Sequence, residues 1–186
     1  MGSYARGVAS TGATPHAPWR RLSVMAGTAV LVVVADAMTK SWALVHARGW
    51  PPRSPMRGVE FTVTLNHGSA FGLGHSSPAA PVVLVVLATA TLAWLLWMAR
   101  RLLWNAGVAA VPLGLAIGGT LGNLADRTLR TIPVWGQIPR PAVVDFIVLR
   151  AGNAAWPAFN GADIALVIGL PWLAILLLRQ PPTPRS

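Results

Sequence analysis

The sequence predicts an all-α membrane protein with four transmembrane helices. Three observations carry that expectation. Of the 186 residues, 54% are hydrophobic and only 11% are charged, with a mean hydropathy of +0.55, whereas soluble domains carry about 25% charged residues. Four apolar stretches each reach the ~20 residues that cross a ~30 Å hydrocarbon core at ~1.5 Å per residue. Between them lie segments of alternating residues or of Pro and Gly, which do not continue a helix.

Residues 1–21 are rich in Gly, Ala, Ser, Thr and Pro without periodicity and read as a disordered cytoplasmic tail. Leu22–Val45 is the first helix, interrupted by Asp36 and Lys40. Its 14-residue run Leu22–Ala35, behind Arg20 and Arg21, would also suit a signal peptide, but apolar sequence resumes after Lys40. An outer segment of about 46–78 follows. In its stretch VEFTVTLN, Val59, Phe61, Val63 and Leu65 alternate with Glu60, Thr62 and Thr64, a half-exposed strand.

Ala79–Ala99 is a span of 21 residues without a charge, closed by Arg100 and Arg101. Ala106–Ala125 is a further uncharged span of 20 residues. It places Gly114, Gly118 and Gly122 on one face, where small residues let another helix approach closely, so this helix should be central. The second outer segment, 127–158, holds one short apolar run, VVDFIVL, suited to an interfacial strand or a re-entrant piece. Phe159–Leu178 is the last span and 179–186 a cytoplasmic tail, leaving one membrane domain over 22–178. Trp50, Trp104 and Trp156 fall near segment ends, as an aromatic belt would place them.

Four spans put both termini on one side. Seven arginines (6, 20, 21, 100, 101, 179, 185) fall on that side and seven (48, 53, 57, 127, 130, 140, 150) on the other. Weighting by short loops and nearness to helix ends favours cytoplasmic termini. The net charge of +10 forms no basic stripe with interleaved aromatics, so it suits attraction to membrane lipids and excludes nucleic acid as a partner.

With no cysteine, disulfides and thiol catalysis are excluded. The four histidines, His16, His46, His67 and His75, lie outside the predicted helices, and neither HExxH nor GxSxG occurs. No metal or other cofactor is therefore expected.

Acids are scarce: Asp36, Glu60, Asp126, Asp145 and Asp163. Four of them lie in or beside apolar sequence, where an unpaired charge is costly. Asp36 and Lys40 are spaced for a helical ion pair, and Asp126 has Arg127 and Arg130 within reach. Asn160 and Asp163 have the N-cap and N3 spacing of a capping box. Asp145 and Asp163 have no obvious cation in their own segments, yet topology brings both to the outer boundary. Two carboxylates sharing such a site share a proton, which is the chemistry of an aspartic protease dyad. A proton-coupled transporter, with the acids as a relay, is the competing reading. Against it, the second and third spans carry no charge and the acids gather near one face.

Five blocks in order, DAMTK (36–40), NHGSAFG (66–72), GGTLGNLADR (118–127), VVDF (143–146) and FNGAD (159–163), resemble lipoprotein signal peptidase (signal peptidase II), a family of bacterial inner-membrane aspartyl proteases. The resemblance covers about residues 22–178 and implies a four-helix membrane fold with a small extracytoplasmic β-rich platform. It implies Asp145 and Asp163 as the catalytic dyad, with Asn66, Asn123, Asn160, Asp126 and Arg127 lining the site and Asp36 and Lys40 supporting it. It also implies a lipid-modified prolipoprotein substrate, cut just before its diacylglyceryl cysteine in a groove open to the bilayer. A monomer is expected. Two departures stand out: a long stretch, TLRTIPVWGQIPRP, between Asp126 and Asp145, and Pro141–Ala142 where a glycine often precedes VVD.

Overall fold

The computed structural model describes residues 18–48, 52–68, 79–105, 109–132 and 140–179. Its four helices are α1 (Pro18–His46), α2 (Ala80–Asn105), α3 (Ala110–Leu129) and α4 (Gly161–Leu178). Strands β1 (Arg53–Met56) and β2 (Val59–Asn66) follow α1; β3 (Thr131–Ile132), β4 (Arg140–Pro141), β5 (Val143–Ala151) and β6 (Ala154–Ala155) separate α3 from α4.

Three helices, α1, α2 and α4, are long and apolar enough to cross a membrane. They turn large side chains outward, such as Leu31 (68% exposed), Val82 (66%) and Val167 (72%), a pattern that is stable only against hydrocarbon. The fourth, α3, is not among the three. It packs mainly against α1 and α4 and less extensively against α2, so its composition answers to neighbouring helices. The core gathers Leu95 of α2, Leu113 and Ala116 of α3 and Leu173 of α4, with Met25 and Ala29 of α1.

Glycine sets how closely α3 approaches its neighbours. A Cβ on Gly114 would stand 2.6 Å from the Met25 carbonyl, and one on Gly118 2.8 Å from that of Ala29, both in α1. The expected stripe holds: Gly122 also faces α1, its Cβ position 2.7 Å from Asp36 Oδ2, and it touches Ala162 of α4 as well. Gly119, which the spacing did not single out, abuts α4 with its Cβ position 2.5 Å from the Ala162 carbonyl. A central helix has neighbours on more than one face, so it needs small residues beyond one line.

Element ends shift by a few residues: α3 and α4 begin later than expected, at Ala110 and Gly161, while other ends extend. α1 begins at Pro18, inside the expected 1–21 tail, and ends on His46, which the sequence had placed outside the helix. α2 continues through Arg100 and Arg101 to Asn105, because arginine is a good helix former and a charge at the membrane edge need not end a helix. α3 runs past Ala125 to Leu129 and so takes in Asp126 and Arg127. Residues 1–17 and 180–186 of the tails, Trp50 of the aromatic belt, His16 and His75, and the Ser69–Gly72 end of the second block lie outside the described residues.

The platform is a four-stranded antiparallel sheet in the order β1-β2-β5-β6. The apolar run VVDFIVL is therefore a strand, with Thr64 opposite Asp145 and Asn66 opposite Val143. The simple alternation expected for β2 fails at Glu60, which is buried while its neighbours are half-buried. The register shifts between Phe61 and Thr64, and Glu60 is neutralised by Arg150 of β5. The long stretch after Asp126 forms a small pair of its own, β3 against β4.

Candidate active site

The chain returns from the platform to the bundle through Phe159. Its carbonyl accepts from the backbone N–H of Phe146 (3.0 Å) and Ile147 (2.9 Å), and its own N–H donates to the Ile147 carbonyl at 3.0 Å. This bridge pins the residues that enter α4 to the strand that carries Asp145. The next residue, Asn160, caps α4. Its side-chain oxygen accepts from the Asp163 backbone N–H (3.1 Å), and the Asp163 carboxylate accepts from the Asn160 backbone N–H (3.1 Å). The capping box read from the sequence is present.

Asn160 does a second job with its remaining group. Its Nδ2 donates to Asp145 Oδ1 at 2.6 Å and lies 3.2 Å from Asn123 Oδ1. One fully buried asparagine thus touches both carboxylates. Asn66, at the end of β2, donates to the other Asp145 oxygen at 2.9 Å, and its own side-chain oxygen accepts from the Gly68 N–H at 2.9 Å. Asn123 of α3 donates to Asp163 Oδ1 at 2.7 Å. Amides suit this setting because they orient a carboxylate without adding charge.

Behind the asparagines sits a buried ionic cluster. Lys40, wholly inaccessible, lies 2.6 Å from Asp36 and 2.9 Å from Asp126, and donates to Asn123 Oδ1 at 3.1 Å. The i,i+4 pair expected between Asp36 and Lys40 forms. Asp126 takes Arg130 (2.8 Å) and Lys40 as its ionic partners. Arg127 instead turns its guanidinium to the carbonyls of Gly68 and Asn123, both at 3.3 Å, within the field of Asp145 and Asp163. Asp36 further accepts from the Ala162 N–H at the start of α4 (2.9 Å), and Asp126 from the Val144 N–H (3.4 Å). The two structural acids therefore tie α1 to α4 and α3 to β5.

The link from Lys40 to Asp126 and Asn123 escaped the sequence reading. These partners lie in different helices, 83 residues apart in the case of Asn123, and no local spacing signals such a contact. The Gly68 carbonyl, as a partner for Arg127, was likewise invisible.

Burial pushes the Asp145 carboxyl up to about 6, with the nearby Asp163 adding to the rise; the Asn66 and Asn160 amides and Lys40 act in the other direction. The other carboxylate stands at N3 of α4, where the helix dipole favours negative charge. Asp145 can therefore hold a proton up to about pH 6 beside the second carboxylate, with amide donors fixing both. Among the described residues no group of three or more His, Cys, Asp or Glu could hold a metal ion.

Residues 28–179 match the family model described as signal peptidase (SPase) II. The chain is 36% identical over 168 residues to the lipoprotein signal peptidase of Mycobacterium tuberculosis (strain ATCC 25618 / H37Rv), covering 86% of this chain and 73% of that one. It is 35% identical over 168 residues to the lipoprotein signal peptidase of Nitratidesulfovibrio vulgaris (strain DP4), covering 88% and 94%. In fold it is similar to a bacterial membrane enzyme solved by the in meso method at 1.9 Å, with a TM-score of 0.68 at 24% identity over 86% of this chain and 96% of that one.

Proposed function

The chain belongs to the signal peptidase II family, and from that premise we propose that Asp145 and Asp163 are the carboxylates with which it cuts. It is a protease of the bacterial membrane that removes signal peptides from prolipoproteins, as its relatives' name states; the transporter reading falls away. The observation that carries the residue assignment is Asn160, which bonds Asp145 through its side chain and Asp163 through its cap.

In this mechanism Asp163, at N3 of α4, accepts a proton from a water poised between the pair. The hydroxide oxygen bonds to the scissile carbonyl carbon while protonated Asp145 donates its proton to the carbonyl oxygen. The resulting tetrahedral diol collapses as its C–N bond breaks. Asp163 returns its proton to the leaving nitrogen, and Asp145 recovers one from the diol hydroxyl. Both carboxylates are thereby restored. Asn66, Asn123 and Asn160 orient the carboxylates, Arg127 stands beside them, and Lys40 with Asp36 and Asp126 fixes Asn123. The substrate bond is the one just before a diacylglyceryl cysteine, whose acyl chains stay in lipid beside the groove.

A reading of four spans, with α3 as the inner one, is supported by three apolar helices and a fourth packed among them; cytoplasmic termini are supported by the arginine distribution. The peptidase domain of 22–178 extends back to Pro18, where α1 begins. A monomer suffices, because one chain supplies the whole site.

Asp145→Asn and Asp163→Asn keep shape but cannot share a proton. Each should insert normally and lose roughly 10⁴-fold in cleavage of a lipidated prolipoprotein. Turnover near that of the unaltered protein by either variant refutes the pair. For topology, Arg101→Cys introduces a single thiol that an impermeant reagent should not label in intact cells; labelling would reverse the orientation.

A further inference from the structure

The end of the bundle opposite the carboxylates is built differently. Between α1 and α2 lies an open-sided cavity of about 490 Å³, walled by Trp19, Leu22 and Met25 of α1 and by Leu96 and Leu103 of α2, with exposed Arg100 on its border. The helices are joined at this point by Arg21, which donates to the Leu103 carbonyl at 2.9 Å. Arg20 lies over the Trp19 ring (5.5 Å to the centroid) and Arg101 over the Trp97 ring (4.3 Å). Arg100 thus borders the apolar groove, and Arg20 and Arg21 attach to two of its lining residues, Trp19 and Leu103.

The sequence has no Asp or Glu in residues 1–35 or 61–125, and Asp36 stands 17 residues along α1 from Trp19, roughly 25 Å at ~1.5 Å per residue. Among the described residues, Arg20, Arg100 and Arg101 have no carboxylate partner. Arginines stacked on indoles are held at the depth where a membrane changes from hydrocarbon to headgroup.

We propose that this groove binds an anionic phospholipid, with one acyl chain between α1 and α2 and its phosphate between Arg20 and Arg100. The occupant follows from two complementarities. The walls are apolar and belong to two membrane-crossing helices, so what fills them is hydrocarbon. The border carries Arg20 and Arg100, which have no carboxylate partner among the described residues, so the headgroup is an anion. The site rests on the reading of α1 and α2 as spans and is independent of the carboxylate pair.

Native mass spectrometry tests it on the full chain released from micelles holding equal phosphatidylglycerol and phosphatidylcholine with the same acyl chains. Each arginine near a phosphate is expected to contribute about fivefold in affinity, so the unaltered protein should retain phosphatidylglycerol preferentially by at least about tenfold. Arg20→Gln with Arg100→Gln should abolish the preference, Arg100→Lys should keep it, and Arg140→Gln at the other end should leave it unchanged. Leu96→Trp fills the groove with the charges intact and should lower retention of both lipids. Excess glycerol phosphate should not displace the lipid.

Equal retention of the two lipids, a preference that survives removal of Arg20 and Arg100, retention unaffected by Leu96→Trp, or complete displacement by glycerol phosphate would each overturn the proposal. All the variants should still cleave prolipoprotein in detergent. Protein that cleaves without a lipid preference refutes this site alone, and protein that keeps the preference without cleaving leaves the site standing while refuting the activity.

Discussion

Replacing Lys40 with methionine should damage this protein more than replacing its helical partner Asp36 with asparagine, although the two form a single ion pair when only α1 is considered. The ammonium faces Asp36 at 2.6 Å, Asp126 at 2.9 Å and the Asn123 oxygen at 3.1 Å. Asp36→Asn weakens one of these contacts. Lys40 keeps Asp126 and Asn123, and the new amide oxygen can still accept from the Ala162 N–H, so the loss should be about 1–2 kcal/mol. Lys40→Met strands Asp36 without a cation and leaves Asp126 with Arg130 alone, an uncompensated buried charge that costs about 3–5 kcal/mol. It also leaves Asn123 Oδ1 with Asn160 as its donor at 3.2 Å, loosening the side chain that orients Asp163 at 2.7 Å. Activity should therefore fall more in Lys40→Met than in Asp36→Asn, beyond what the loss of folded protein explains. Adding Asp36→Asn to Lys40→Met should recover only part of the stability, because Asp126 remains under-neutralised. Thermal unfolding in detergent beside a prolipoprotein cleavage assay reads both effects. If Asp36→Asn melts at or below Lys40→Met, or if the double variant regains full stability, the three-partner role of Lys40 is wrong.

Gly119→Ala should destabilise by about 1–3 kcal/mol in the same unfolding assay, despite the better helix propensity of alanine, because its Cβ would meet the Ala162 carbonyl, which cannot move without shifting α4; an unchanged melting temperature would mean that α3 and α4 are not in close contact there. The raised Asp145 carboxyl predicts a pH effect. Below about 3.8 the folded and unfolded states both hold the proton, and as pH rises from 3.8 toward 6 the unfolded state releases it first. Stability should therefore fall across that window by no more than ~3 kcal/mol and stay lower above it. Asp145→Asn should flatten this fall, and a variant that melts with the same pH dependence as the unaltered protein would show that Asp145 is not the group concerned.

Much of the molecule was legible in one dimension because membranes impose local rules. Hydrocarbon demands about twenty apolar residues in a row, so α1, α2 and α4 announce themselves, and even the inner helix betrays its place by trading leucine for glycine. The capping box at Asn160 and Asp163 and the i,i+4 pair of Asp36 and Lys40 are short-range contacts, decided by helical spacing alone. The scarcity of acids in so apolar a chain drew attention to Asp145 and Asp163 before any contact was known.

What tertiary structure decided is everything that depends on which elements meet. Sequence offers Arg127 and Arg130 equally to Asp126, but the bundle gives that acid to Arg130 and Lys40 and turns Arg127 toward Gly68. Strand alternation puts Glu60 on the polar face of β2, but a register shift and Arg150 of the neighbouring strand bury it. The stripe of Gly114, Gly118 and Gly122 meets α1 as its spacing suggests, but only the bundle shows that Gly119 meets α4. Local spacing fixes which groups share a face of a helix, since backbone geometry is the same everywhere. Which face meets which neighbour is set by the packing of the whole chain, and only there do Asn66, Asn123 and Asn160, from three separate segments, converge on two carboxylates.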